Sequence, residues 1–478
     1  MTVRHLPATT VAGLLGSWMF GGGPAYKALA DGLRLLIADG RIPPGARLPS
    51  ERDLTDALDV SRTTVTAAYA ELRDRGYLTS RRGSGSVASL PAGPAPALGA
   101  HHAPGIDTEG LYDFTCAASP AVHGISSAVA EAAEDLPAHL TTPGYHPLGV
   151  PVLREAIAAG YEARGLPTSP DQIIVTGGAL SATAIAMRAL TGIGDRVLTE
   201  SPSHPNSLDA IRRGGARVVP APMTPSGWDL PLLEATIRQT SPRSAWLVPD
   251  FQNPTGHLMP DADRDRLAAA LARNRVIPVI DETLAELSLD GGEPPAPFAG
   301  FQPHAVVTVG SVSKAFWGGL RIGWIRSPEQ LVSRILDARS SLDLGAPVLE
   351  QLVVARLLPR RAEILAERRA GLLERRTALT EAVAEHLPDW RFRVPAGGLS
   401  LWCELPTPVG AALVGLAERH GVLLMAGSRF SPDGGLDRFV RLPYTSEPED
   451  LTEGVRRIAL AYAPLRGGSL ANRPAMIA

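Results

Sequence analysis

Val306-Val307-Thr308-Val309-Gly310-Ser311-Val312-Ser313-Lys314 is the stretch on which the fold turns. Its β-branched start reads as a buried strand, and that strand runs out into two hydroxyls and a lysine. Only two of the 46 basic residues are lysines, Lys27 and Lys314; the rest are arginines. A Schiff base needs an amine that loses its proton and attacks a carbonyl, which a guanidinium cannot do. Lys27 reads as a surface residue, whereas Lys314 has the neighbours for that chemistry. Downstream, Gly318-Gly319-Leu320-Arg321-Ile322-Gly323 adds an arginine, whose planar fork matches a phosphate. Ser311, Ser313, Lys314 and Arg321 together suit an aldehyde that carries a phosphate, so the expected cofactor is pyridoxal 5′-phosphate.

Around this strand, from about residue 111 to 478, short β-type runs alternate with amphipathic helices, the pattern of an α/β domain. Ile173-Ile174-Val175-Thr176, Arg196-Val197-Leu198, Ala245-Trp246-Leu247-Val248 and Val276-Ile277-Pro278-Val279-Ile280 read as its strands. After the first comes Gly177-Gly178-Ala179-Leu180-Ser181, a strand-to-helix turn. Its backbone N–H groups, at Gly178, Ala179 and Leu180, are aimed at an anion. Residues 350–385 read as a long, helical, arginine-rich stretch leading into a smaller C-terminal subdomain.

At 478 residues there is room for two or three domains, and 45% hydrophobic with 20% charged residues is a globular balance. A net charge of −3 gives no global basic field, so any DNA contact must come from a local patch. Cys116 and Cys403 are far apart and form no metal-type spacing, which suits a reducing cytoplasm and predicts no metal site. Residues 11–20 faintly resemble a signal peptide, but glycine and serine interrupt them and they are too short to span a bilayer. Residues 1–23 are therefore read as a packed N-terminal arm, with no membrane attachment. Residues 89–110, SLPAGPAPALGAHHAPGIDTEG, are a Pro-, Ala- and Gly-rich linker, able to span about 60 Å if extended.

Residues 24–88 carry three helical periods and a hairpin. Tyr26, Leu29, Leu33 and Ile37 share one face of the first helix. Ser50 caps the second, with Asp53 placed to return the bond as a capping box. Ser61 caps the third, which buries Val65, Ala68, Tyr69 and Leu72 and leaves Arg62, Thr63 and Thr66 outward at its start. Those first turns are what a recognition helix presents to a major groove. Tyr77-Leu78-Thr79 and Gly85-Ser86-Val87 then flank a basic, glycine-tipped wing, Arg81-Arg82-Gly83-Ser84-Gly85. Ten Lys/Arg against eight Asp/Glu is a weak excess for the module; the placement of Arg52, Arg62, Arg81 and Arg82 on the DNA-facing elements says more.

GRIPPGARLPSERDLTDALDVSRTTVTAAYAELRDRGYLTSRRGSGS closely resembles the winged helix-turn-helix of the GntR family of bacterial transcription regulators. The resemblance implies DNA contacts by Arg52, Arg62, Thr64 and Gly85. From residue 111 onward the chain resembles fold-type I (class I) aminotransferases, and with a GntR head it is identified as a member of the MocR subfamily. The implied fold is a winged helix-turn-helix joined by a linker to a large α/β domain with a small C-terminal subdomain.

The same resemblance implies the remaining site residues. Asp250-Phe251-Gln252-Asn253-Pro254-Thr255-Gly256 matches the family's Asn-Pro-Thr-Gly motif, with Asn253 donating to the ring O3′. Asp281 would pair with the pyridine nitrogen and keep the ring an electron sink. Tyr145 matches a tyrosine that reaches the phosphate of the neighbouring subunit's cofactor, and Arg441 one that grips an α-carboxylate. Thr283 stands where many relatives place a tyrosine, and His204 where an aromatic ring stacks on the cofactor. The expectation is a cytoplasmic, head-to-tail homodimer that binds operator DNA and senses pyridoxal phosphate or a small amino compound. The alternatives are an active aminotransferase with an autoregulatory DNA-binding head, and a DNA-binding protein on a vestigial scaffold.

Overall fold

A computed structural model describes residues 5–16, 18, 24–38, 40–81, 85–91, 110–291, 294–302 and 304–466. These fall into two units, one within residues 1–97 and 122–131 and the other within 98–121 and 132–478.

In the first unit, helices Ala25–Ala38, Glu51–Leu58 and Arg62–Asp74 enclose a core of Leu29, Leu33, Ile37, Leu54, Val65, Ala68, Tyr69 and Leu72. Leu29, Leu33 and Ile37 are fully buried as their spacing demands, while Tyr26 is only half-buried. Ser50 accepts the Asp53 N–H at 3.1 Å, satisfying one of the helix's open donors. The Asp53 carboxylate does not close the other half of the box. Helix Ala8–Leu15 adds Val11 to the same core, so the interrupted apolar run of the N-terminal arm packs inward. Strands Leu78–Arg81 and Gly85–Ala88 pair antiparallel, and Arg47 bridges Val87 on the far side.

The second unit is built on an eight-stranded sheet. Its order is Ile173–Thr176, Gly323–Arg326, Val307–Ser311, Ile277–Asp281, Ser244–Leu247, Arg196–Ser201, Arg217–Thr224 and Gly227–Trp228. Val307–Ser311, Ile277–Asp281, Ser244–Leu247, Arg196–Ser201 and Arg217–Thr224 run parallel, and Gly323–Arg326 is antiparallel to both neighbours. The central strands are buried along their length, which is why they read as unbroken apolar runs without alternation. Helices Ala179–Leu190 and Glu329–Arg339 cover one face through Ile185, Leu190 and Ile335. A second core forms around the four-stranded sheet Arg391–Phe392, Ser400–Glu404, Phe439–Pro443 and Met425–Ala426, with helices Arg361–His386 and Pro448–Tyr462 against it.

The helical stretch over residues 350–385 is made of two helices. Helix Val348–Leu357 ends in a 3₁₀ turn, Leu358–Arg360, and a new helix runs Arg361–His386. Pro359 lacks the N–H that an unbroken helix needs and crowds the residue before it.

Candidate functional site

Parallel strands of an open α/β sheet deliver ligand groups at their carboxyl ends, and the chemistry-bearing residues gather there. Ser311 closes Val307–Ser311 and Asp281 closes Ile277–Asp281. Thr176 closes Ile173–Thr176 and leads into helix Ala179–Leu190. The resulting cleft, of about 390 Å³, is lined by Lys314, Asn253, Asp281, Thr283, Ser311, Ser313, Arg321, His204, Ala179, Leu180 and Arg441. All of these were expected from the sequence.

On the anion side, Ser311 Oγ donates to Ile322 O at 3.0 Å and accepts the Ser313 N–H at 3.1 Å, with Ser313 Oγ 2.9 Å away. Arg321 donates to Gly177 O at 2.8 Å. Gly178 caps the helix behind it with φ +102°, and a Cβ there would lie 2.5 Å from Arg321 Nη2. Gly323 is equally forced, since its Cβ would meet Gly178 C at 2.6 Å. The two glycines let the guanidinium and a helix N-terminus approach one point, a pairing suited to a phosphate. Gly178 stands behind the cleft wall and does not line it.

On the opposite side, Arg441 donates to Asn253 Oδ1 at 3.2 Å and to Thr115 O at 2.6 Å, while its buried Nε has no partner. Burial lowers the Arg441 pKa to about 10. The turn that carries Asn253 is held from both flanks. Arg264 and Asp250 form a fully buried ion pair at 2.6 Å, and Gln252 donates to Pro202 O at 2.7 Å and accepts the Thr255 N–H at 3.0 Å. Lys314 Nζ donates to Ala117 O at 2.6 Å. Burial pushes its pKa below the usual lysine value, and the Arg441 and Arg321 cations push the same way, partly opposed by Cys116 and Asp281. Asp281 accepts the Thr283 N–H at 2.9 Å, and burial raises its pKa. His204 Nδ1 lies 2.9 Å from Ser207 Oγ, and burial followed by the Lys314 and Arg441 charges takes its pKa down to about 3.

Tyr145 does not line this cleft and is 66% exposed. Thr115, Cys116, Ala117 and Arg429 line it without having been singled out in the sequence. Two of them act through backbone carbonyls, Thr115 on Arg441 and Ala117 on Lys314, and a carbonyl leaves no residue-type signal. Arg429 was readable in principle, as a charged residue inside the turn Gly427–Phe430.

In the other unit, Arg62, Thr63 and Thr66 are exposed at the start of helix Arg62–Asp74. Ser61 Oγ accepts the Thr64 N–H at 3.2 Å and lies 2.7 and 2.8 Å from the Thr63 and Thr64 hydroxyls. Thr66 donates to Glu51 Oε2 at 2.7 Å, and Tyr69 OH to Pro49 O at 3.0 Å, tying the recognition helix to the one before it. Arg52 is exposed on that preceding helix. Gly85 takes φ +77°, and a Cβ there would lie 2.9 Å from Arg47 Nε. The Arg81 side chain, Arg82 and Gly83 lie outside the described residues, as do positions 92–109 of the linker.

Known proteins match both units. Residues 25–87 match the family described as bacterial regulatory proteins, gntR family, and residues 118–458 match aminotransferase class I and II. The HTH-type transcriptional regulator YdcR of Escherichia coli is 30% identical over 444 residues, 87% of this chain and 94% of that protein. The protein named probable rhizopine catabolism regulatory protein MocR, of Rhizobium meliloti, is 31% identical over 394 residues, 77% of this chain and 78% of its own. Among solved structures, LysN, the α-aminoadipate aminotransferase of Thermus thermophilus in complex with N-(5′-phosphopyridoxyl)-L-leucine, superposes with a TM-score of 0.68. It is 29% identical and covers 75% of this chain and 93% of its own. A winged reader and an aminotransferase cleft on one chain, each matched by its own family and both spanned by the regulators, leave one assignment: the protein belongs to the MocR-type GntR regulators, a helix-turn-helix domain fused to an aminotransferase class I and II fold.

Proposed function

We propose that this protein is a DNA-binding transcription regulator whose aminotransferase-fold domain holds pyridoxal 5′-phosphate and senses it, or an amino compound that reacts with it. The observation that supports this best is the convergence of Lys314, Asp281, Arg321 and Arg441 on one cleft beneath a glycine-capped helix. The donor set fits the cofactor: an amine for an aldehyde, a cation and hydroxyls for a phosphate, and a buried carboxylate for a ring cation.

When bound, the cofactor supplies an aldehyde that condenses with an amine and a ring nitrogen that draws electrons away. Ser311, Ser313, Arg321 and the N–H groups at Ala179 and Leu180 would hold its phosphate, with Gly178 behind them capping the helix. Asn253 Oδ1 already accepts from Arg441, which leaves the Asn253 amide N–H groups as donors for the ring oxygen. Asp281 would hold the ring proton, and Thr283 steadies that carboxylate through its backbone N–H. Lys314, made easier to deprotonate by burial, is the amine that an effector would displace. Arg441, with a buried and unpartnered Nε, is the group for an effector carboxylate. His204 stays neutral beside these charges and forms part of the wall. Arg52, Arg62, Thr63, Thr64, Thr66, Arg81, Arg82, Gly83 and Gly85 would contact the operator duplex, with Ser61 fixing the hydroxyls of the first turn.

The test is a comparison of wild type with Lys314→Ala. Wild type supplied with pyridoxal phosphate is expected to develop a visible absorption band above that of the free cofactor, and the variant to lack it. The folded variant should keep duplex binding through its head while losing the effect of added effector on that binding. An unchanged band in Lys314→Ala defeats the cofactor assignment. Loss of all DNA binding in a folded variant defeats a sensor separable from the reader.

A further inference from the structure

Arg429 is the cation of the cleft to which the preceding reading gives no task. Four cations line the cavity, Lys314, Arg321, Arg429 and Arg441, against one carboxylate, Asp281. Lys314 is engaged by Ala117 O, Arg321 by Gly177 O, and Arg441 by Asn253 and Thr115 O. Arg429 is exposed, and among the described residues its guanidinium makes no hydrogen bond or ion pair.

The turn that carries it is fixed on both sides. Phe430 is fully buried, packs 5.0 Å from the Arg441 guanidinium, and accepts the Ser203 N–H at 2.8 Å. Gly427 fits so closely that a Cβ would lie 2.3 Å from Leu436 O. Arg429 is therefore held at the rim by a rigid turn, one residue from the ring beneath Arg441. Arg441 is 4% exposed and lies at depth. Crowding like charges around a concave site is unfavourable unless anions answer them. In the cofactor reading, a phosphate answers Arg321 and one carboxylate answers Arg441, which leaves Arg429 unanswered.

We propose that Arg429 receives a second anionic group, so that the effector is an amino acid whose side chain ends in a carboxylate or an equivalent oxyanion. This rests on the cleft being the cofactor and amine site. The two anions divide by depth: the α-carboxylate enters the buried Arg441 subsite, and the side-chain anion stays at the rim, where its desolvation is slight. Arg429 sets specificity and takes no part in the exchange of amines at Lys314.

Two pairs of amines that differ at one end test this. The holo-protein is titrated with L-2-aminoadipate against L-norleucine, and L-glutamate against L-norvaline, followed by the cofactor absorbance and by calorimetry. Wild type is expected to prefer the acidic member of each pair by about tenfold, the range for hydrogen bonds to charged partners. Arg429→Gln should bring the preference to within about twofold and leave norleucine binding where it was, while Arg429→Lys should keep much of it. Equal binding of acidic and neutral amines by wild type overturns the inference and leaves the cofactor reading intact. So does a preference that survives Arg429→Gln. Failure of all four amines to bind a protein that holds the cofactor brings down the amine-sensing reading, and this inference with it.

Discussion

His204 and Lys314 are bases of different strength that the cleft moves in one direction. Burial disfavours the charged form of each, and Arg441 adds repulsion to both. For His204 the folded-state pKa falls from 6.5 to about 3, below its value in the unfolded chain. Below pH 6.5 the unfolded chain takes up a proton that the folded one refuses, so this contribution to stability is present above that pH and is lost as pH falls. The ring is only half-buried, so cleft water screens the neighbouring cations, and an effect of about 1–2 kcal/mol is expected between pH 6.5 and 4.5. His204→Phe cannot take the proton and should flatten that part of the acid limb. Thermal melts of both cofactor-free proteins across that range decide the matter, and parallel curves would show that His204 is not excluded from protonation. Residue type made this cleft legible in advance: a rare lysine, paired hydroxyls and an arginine after a strand each have one obvious use. Ala117 and Thr115 were not legible, because what they offer Lys314 and Arg441 is a carbonyl that every residue has.

Elements were legible where a cap or a side-chain period marks them. Helix Arg62–Asp74 starts after Ser61 and buries Val65, Ala68, Tyr69 and Leu72, as its spacing requires. The central strands were recognisable because burial on both faces leaves an unbroken apolar run. Two-residue strands such as Met425–Ala426 and Arg391–Phe392 carry too little pattern to read, and they exist because longer neighbours pair with them. Pro359 sits in the turn between two helices, while the arginine-rich pattern continues across the break. Arg62 tests the reader at this scale. It is exposed on the first turn, ahead of hydroxyls that Ser61 already orders, and its loss removes no packing. Arg62→Ala should cost roughly 1–3 kcal/mol of discrimination per base contact and leave the cofactor band unaltered. Binding to a selected operator and to random duplex, measured at one salt concentration, gives the ratio. A ratio equal to that of wild type places the reading surface elsewhere.

At the scale of the molecule, Tyr145 is the residue whose position in one chain is unexplained by that chain. It follows Gly144 at φ +76° and is 66% exposed, and Leu140, a few residues before it, is 70% exposed. If the two form one contiguous apolar patch, it is a surface for another molecule to cover. The family resemblance names the cover as a second copy, with Tyr145 reaching the neighbour's phosphate subsite; paired half-sites on an operator ask for the same two-fold arrangement. The prediction has two parts that fail separately. Sedimentation of the holo-protein at micromolar concentration should give a dimer. Tyr145→Phe, which keeps the ring and removes the hydroxyl, should leave the dimer in place and weaken cofactor retention by about ten- to a hundredfold, the loss of one hydrogen bond to a charged group. A monomer refutes the shared site outright. A dimer whose cofactor affinity is untouched by Tyr145→Phe keeps the assembly and removes Tyr145 from the phosphate, leaving Ser311, Ser313, Arg321 and the glycine-capped helix to hold it within one chain.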